Sequence, residues 1–550
     1  MKESNIDKQA LISAVEEFAF KHDTHQIDRS SGKYRELIPM KTPGPGQQYA
    51  FEVDLDKCTG CKACVTACHN ENGLDEDETW RSVGMIQGGD SANPAIQHVT
   101  SACHHCADPA CMNGCPTKAY VKDTATGIVK HLDDQCFGCQ YCILKCPYDV
   151  PKYNKKKGIV HKCDMCASRL NAGQAPACVR ACPNGAIRIT LVDQKEVREN
   201  PVEFVKIPDA PASDYTFPTT RYKTNKIFPA NMVSMDYHLI QPEHAHLPLV
   251  FMLVLTQLSV GAFLANLILQ GAAGSFFIKS LYPVHILCAL CLGLLALGAS
   301  LLHLGRPQYF YRAILGLKTS WLSREIFAFV IFAHVAIFYA LGLIPSMHSF
   351  LMRYGGPRVF DAWGGVVLFW GMTGIYCSVK VYKDTRRPFW DNDHTTIKFF
   401  LTMVILGFAT IMMVSLVYAA VSPQMTMGDI LRAFGRTFLT IILTSSVVKL
   451  SLEASVFYHL IRGDLSLIKK TAILMTRQLG RITKLRFFFG FAGGILFPSL
   501  MLRLDGDPTP VLVLSMATAV FLCSLAGELL ERFLFFRAVV PLKMPGGKLS

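Results

Sequence analysis

Several things are missing from this 550-residue sequence, and each absence narrows what the chain can do. Neither a Gly-rich nucleotide loop nor a catalytic nucleophile is evident, so any substrate chemistry is expected to happen in another protein. Met1 to Phe20 holds no basic start followed by an apolar core and no twin-arginine pair, so no export signal is expected there. Nothing suggests a small secreted domain, which argues against a disulfide framework for the twenty cysteines. The net charge of +13 does not point to a nucleic-acid partner, because the basic residues cluster between hydrophobic segments. Inner loops of membrane proteins have that pattern.

What is present is dominated by cysteine. Four runs lie between Cys58 and Cys182: Cys58, Cys61, Cys64, Cys68; Cys103, Cys106, Cys111, Cys115; Cys136, Cys139, Cys142, Cys146; and Cys163, Cys166, Cys178, Cys182. The last three end in Cys-Pro. Three closely spaced thiolates hold three irons of one cubane, while the fourth of such a run reaches a neighbouring cluster, so the runs work in pairs. Sixteen cysteines therefore imply four [4Fe-4S] clusters, assembled in a reducing compartment. Structural zinc also uses Cys-x2-Cys pairs, but two pairs complete such a site, with no third cysteine or trailing Cys-Pro.

Composition changes near residue 245. Residues 1–48 read as an extension, with Ile12, Val15, Phe18 and Ala19 at helical spacing. Residues 49–195 read as an α+β ferredoxin-like four-cluster domain, with strands before Cys58, before Cys136 and after Cys182. The five lysines of Lys152–Lys162 read as a solvated turn. Residues 196–246 read as an irregular linker, 247–540 as an all-α membrane domain and 541–550 as a tail. Eight apolar segments are expected near 248–269, 281–302, 325–344, 362–380, 398–421, 437–457, 487–502 and 510–530. The seventh is short and glycine-rich, so a break or tilt is expected there. Sixteen Lys and Arg lie in the loops on the cluster-domain side against six opposite. That bias puts the cluster domain on the cytoplasmic face of an inner membrane, unless those basic loops serve to dock it.

Together these features resemble a known family. The cysteine runs are similar to the electron-transfer subunit of the dimethyl sulfoxide reductase family of molybdenum enzymes. The stretches Leu249–Phe263, Ala299-Ser-Leu-Leu-His-Leu-Gly-Arg-Pro307 and Ser320-Trp-Leu-Ser-Arg-Glu-Ile326 resemble its membrane anchor. The two are usually separate chains, so this one looks like a fusion. The resemblance implies that Cys182 completes Cys58, Cys61 and Cys64, and that Cys68 completes Cys163, Cys166 and Cys178. It likewise implies that Cys146 completes Cys103, Cys106 and Cys111, and that Cys115 completes Cys136, Cys139 and Cys142. Some relatives replace a third-run cysteine and build a [3Fe-4S] cluster; here all are present. Relatives are often exported, whereas the loop charge here argues against export.

The resemblance also implies a quinol site at His303, Arg306 and Glu325. A near-neutral histidine at the membrane surface can take the proton that quinol releases, although such a residue can also simply cap a helix. His285 lies eighteen residues before His303, on the same helical face, and His334 sits in the third segment. Intramembrane histidines raise haem b as a rival, but the anchor family carries none and none is expected. Lys449 and Glu453, spaced i, i+4, read as a structural pair, with a proton path as the alternative, and Glu528, Glu531 and Arg532 end the eighth segment. Cys288, Cys291, Cys377 and Cys523 read as packing residues. The expected function is electron transfer from menaquinol, through four clusters, to a separate molybdopterin catalytic subunit. Reverse flow into quinone, an ion-translocating redox subunit and a passive anchor are the alternatives.

Overall fold

A computed structural model describes residues 36–272, 280–354, 356–422, 425–504 and 509–546. The helix expected within Gln9–Phe20 lies outside them. The first half is built from short strands that hold the cysteine runs in place. Strand β1 (Gln47–Asp54) leads into Cys58, and β8 (Ile187–Asp193) follows Cys182. They pair antiparallel, Gln47 opposite Asp193 and Val53 opposite Ile187, which draws the first and fourth runs together. The hairpin of β4 (Tyr120–Lys122) and β5 (Val129–His131) does the same for the second and third runs. A further hairpin, β6 (Lys152–Asn154) with β7 (Ile159–His161), joins the third run to the fourth. A second three-stranded sheet orders β10 (Val233–Ser234), β2 (Ser82–Gly89) and β3 (Pro94–Ser101).

Residues 196–246 are more than a connection. Within them β9 (Arg221–Lys223) adds to β1 in parallel, and β10 adds to β2. Strands of two or three residues are too short to show an alternating pattern. The basic turn also differs from the sequence reading at one end: Lys155, Lys156 and Lys157 are exposed, but Lys162 is buried and donates to the carbonyl oxygens of Val129 and Cys163. Pro545 and Gly546 of the tail pack on Gly84, and the Gly546 N–H donates to Ser234 Oγ at 2.7 Å.

The second half is helical, and among the described residues eight helices are long and apolar enough to cross a bilayer: Leu247–Gly271, Tyr282–Leu301, Trp321–Leu341, Ala362–Lys383, Asp393–Val421, Met427–Leu460, Gly480–Leu502 and Pro510–Arg537. The seventh starts earlier than expected, at Gly480, and its glycines form a π turn at Ala492–Leu496 instead of a break. The first and fifth spans are the most enclosed. They cross where a Cβ on Gly261 or Gly407 would strike the other helix's backbone, a small-residue contact typical of membrane helices.

Charges buried among the last four spans lock them together. Lys449 does not pair with Glu453 along its own helix; it pairs with Glu528 of the eighth span. Glu453 instead takes a two-pronged contact from Arg486 of the seventh, at 2.9 and 2.7 Å. Arg486 also reaches Glu528 at 3.2 Å, and Lys398 lies 3.5 Å from Glu531. Each side chain is buried. At i, i+4 the two groups share one helix face, and that face is packed against helices offering opposite charges at closer range. Glu528→Gln is expected to leave Lys449 short of a counter-charge and to cost about 3–5 kcal/mol. Thermal unfolding of the detergent-purified protein checks this: an unchanged midpoint would show that the network is not needed for stability.

Candidate functional site

The strand pairing gathers the sixteen thiols into four groups. Cys58, Cys61, Cys64 and Cys182 line one small pocket, and Cys103, Cys106, Cys111 and Cys146 line another. Cys68 lies near Cys166 and Cys178, and Cys163 lies near Cys68 and Cys178. Cys142 is close to Cys115, Cys136 and Cys139. These are the groupings that the family resemblance implies. Among the described residues no three His, Cys, Asp or Glu converge on a single ion.

The surroundings fit an anionic cluster. Burial pushes Cys68 up to about 12 and Cys166 and Cys146 up to about 11, so these thiols need a bound cation to ionise. Arg81 is buried beside Cys64, Cys68, Cys163 and Cys178. One of its nitrogens donates to Thr100 Oγ1 at 3.1 Å, and two others have no protein partner. Buried Lys162 lies near Cys103, Cys111 and Cys163. Two buried cations among thiol groups balance the charge that thiolate-held clusters bring.

The groups also form a row. Tyr120 lies near both Cys111 and Cys142, Cys103 near Cys163, and Cys64 near Cys178. The row thus runs from the Cys136 group through the Cys103 and Cys163 groups to the Cys58 group, where Cys61 is exposed. Its first member abuts the membrane half. The helix Tyr141–Lys145 sets Tyr141 against the Val381 carbonyl at 2.9 Å and Lys145 against the Asp384 carboxylate at 2.7 Å.

Between the halves lies a cavity of about 1100 Å³ whose wall includes Cys139, His303, Glu325, His246, Tyr382 and Arg387. His303 lies within hydrogen-bonding reach of the Cys139 backbone, and its ring centroid is 5.0 Å from that of His246. Burial pulls His303 down to about 4, with the Cys139 contact opposing and His244 adding to the shift. Burial also pulls His246 down to about 3, helped by His303, His244 and Arg387. Both imidazoles are therefore neutral near pH 7, and burial makes them weak bases unless negative charge appears beside them. Glu325 is buried and accepts a hydrogen bond from Ser378 Oγ. One end of the cavity is polar, with Asp149, Asp209, Asp236 and Glu243; the other is apolar, with Leu249, Leu301, Leu304 and Phe329.

Of the three expected quinol-site residues, His303 and Glu325 meet in this cavity and Arg306 does not line it. Arg306 is spent on docking: its backbone N–H donates to the Phe137 carbonyl at 3.0 Å and its guanidinium to those of Lys157 and Asp133 at 3.1 and 3.0 Å. A guanidinium just past a helix end reaches unpaired carbonyls more easily than an apolar slot. The other histidines stay apart. His285 is buried with Asn266 Oδ1 at 3.2 Å on one ring nitrogen and Ser415 Oγ at 2.9 Å on the other. His334 is exposed, with Nδ1 2.7 Å from the Val330 carbonyl of its own helix. Sequence reasoning missed His246 and Arg387, although His244-Ala-His246 directly before the first span was a signal.

Comparison with known proteins fits this picture. Residues 242–537, just over half of the sequence, match the model of the DMSO reductase anchor subunit (DmsC) family. This protein belongs to that family. Ahead of the anchor, residues 95–192 match a 4Fe-4S dicluster domain and residues 49–70 a 4Fe-4S binding domain. Over 189 residues the sequence is 38% identical to the B subunit of the anaerobic dimethyl sulfoxide reductase of Haemophilus influenzae, spanning 33% of this protein and 91% of that one. The corresponding Escherichia coli K12 subunit is 35% identical over 186 residues, 32% of this protein and 89% of that one. The nitrate-inducible formate dehydrogenase iron-sulfur subunit of the same organism is 32% identical over 247 residues, 41% of this protein and 80% of that subunit. This DmsC-family protein thus joins an iron-sulfur module to its anchor.

The two histidines also set a pH dependence. In the unfolded chain they protonate near pH 6.5, whereas in the folded chain His303 resists until about 4 and His246 until about 3. The unfolded state therefore binds more protons across that window, so stability falls as pH drops through it and returns as pH rises. The melting temperature should decline from about pH 6.5 towards 4, and less steeply in His303→Gln. Equal slopes would exclude His303 as a source of the decline.

Proposed function

We propose that this chain is the electron-transfer and membrane-anchor subunit of a molybdoenzyme complex, fed by menaquinol and serving a separate molybdopterin catalytic subunit. The observation that carries the reading is the cavity in which Cys139, His303 and Glu325 face one space. Quinol oxidation releases two electrons and two protons. Neutral His303 takes a proton at its free imidazole nitrogen, and the Glu325 carboxylate, oriented by Ser378, is placed to take the second. Tyr382 and Phe329 form the wall around a flat aromatic headgroup.

When bound by the four cysteine groups, four [4Fe-4S] clusters would supply a one-electron relay from this cavity to the exposed Cys61 edge. Arg81 and Lys162 hold positive charge beside that row, and the cluster domain faces the cytoplasm by the loop-charge rule. Similarity to the dimethyl sulfoxide reductase subunits favours flow towards a reductase. Similarity to a formate dehydrogenase subunit supports a second reading, in which the same row runs from a substrate-oxidising partner into quinone.

The test uses membranes containing the full chain with its clusters oxidised, to which menaquinol is added while cluster reduction is followed by EPR. Wild type should be reduced, and His303→Ala should slow the reduction on the order of 100-fold. Glu325→Gln should slow it less, because it retains a hydrogen-bonding group. Absence of reduction in wild type would contradict the quinol reading, and reduction at the wild-type rate in both variants would contradict the placement.

A further inference from the structure

The cavity does not end at the headgroup. Its apolar end runs down between the second and third spans, along Leu297, Gly298 and Leu301 on one side and Ile326 and Val330 on the other, with Phe310 at the rim. Four of these residues keep substantial accessible surface. Gly298 is exposed, and Leu301, Val330 and Phe310 keep 38, 37 and 41% of their area accessible. Accessible apolar residues facing one another across two adjacent spans are where such a cavity can open sideways. They lie on the second and third spans, which the rest of the protein leaves largely uncovered.

Its depth matches a tail attached to a bound headgroup. The second span ends at Leu301 on the cluster side, so Gly298 lies about 7 Å deeper in the bilayer than His303 at 1.5 Å per residue. The third span begins at Trp321 on that side, so Val330 lies about 7 Å deeper than Glu325 by the same rise. Both walls thus carry the proton acceptors at one level and the outward-facing apolar residues one to two turns below. At Gly298 a Cβ would meet nothing within 4 Å, so the space beside it is open.

We propose that the gap between the second and third spans is the portal through which the isoprenoid tail of the membrane quinol reaches into the bilayer, with Gly298 keeping it open. The inference rests on the quinol reading above and adds the route and the part of the substrate that uses it. The tail occupies the slot while the ring lies between His303 and Glu325.

The test compares two donors in membranes containing the full chain: a long-tailed menaquinol, and menadiol, which has the same ring system and no tail. Cluster reduction is timed for wild type, Gly298→Ala, Gly298→Leu and Gly298→Trp. The menadiol-to-menaquinol rate ratio should stay near wild type in Gly298→Ala, rise in Gly298→Leu and rise at least about tenfold in Gly298→Trp. A ratio that stays constant across the series while both donors work overturns the portal and leaves the quinol site standing; the groove then seats a lipid acyl tail. Wild-type membranes reduced by neither donor overturn the quinol reading and the portal with it. Because the readout is a ratio, a general loss of folding in Gly298→Trp lowers both rates and does not mimic the expected result.

Discussion

The meeting of three glycine backbones sets the geometry on which the site depends. Gly305, just past the second span, lies so close to Gly158 of the β6–β7 turn that a Cβ on either would strike the other's backbone. Gly138, at φ +75°, is pressed against the same carbonyl of Gly158. With backbone and the Tyr153 hydroxyl at the contact, the third cysteine run rests directly on the loop that carries His303. Arg306 then closes the contact through three backbone carbonyls. Electron tunnelling weakens steeply with distance, so a spacer of even one side chain here would separate Cys139 from the cavity where quinol is proposed to react.

The same docking changes the meaning of the basic loops. Arg306 and Arg312 both donate to carbonyls of the cluster domain, Arg386 stacks on Tyr215 at 4.4 Å, and Lys470 sits 3.9 Å over the Tyr237 ring. Part of the positive excess on that face is therefore structural glue, and only the remainder is free to act on membrane orientation. Deeper in the bundle, charges follow a different rule. Lys449, Glu528, Arg486 and Glu453 satisfy one another across three helices, where each alone would be costly in an apolar setting.

What is legible in the sequence is what is local in it. Cysteine spacing follows from the shape of the cluster it wraps, so the runs are readable without the fold, and apolar length marks the spans. The partners of the runs depend on the long-range pairing of β1 with β8 and on the β4–β5 hairpin, and the family resemblance supplies them where spacing alone does not. His303 is readable because it follows the end of a span. Arg306 misleads because its target carbonyls lie more than a hundred residues away in sequence. The Lys449–Glu453 spacing misleads in the same way: helical periodicity reports which groups share a face and says nothing of the charges on the helix opposite. His246 escapes notice because its stretch reads as linker, and only the fold shows that this linker forms a cavity wall.

Neither half of the protein encloses that cavity alone. Cys139, Tyr141 and Asp209 come from before the first span and His303, Glu325 and Tyr382 from the membrane half, while Val540 to Pro545 return from beyond the eighth span to complete the wall. The Lys543–Asp236 ion pair fastens that return. A site shared between two proteins forms only as fast and as completely as they associate. Joined by one polypeptide, the two walls meet at an effective concentration set by the connecting segment, without dependence on subunit abundance. The connecting residues pair with the sheets through β9 and β10, which makes the connection short and stiff and holds the walls in a single register. Fusion therefore does more than tether the cluster domain to the membrane: it makes assembly of the cavity part of folding.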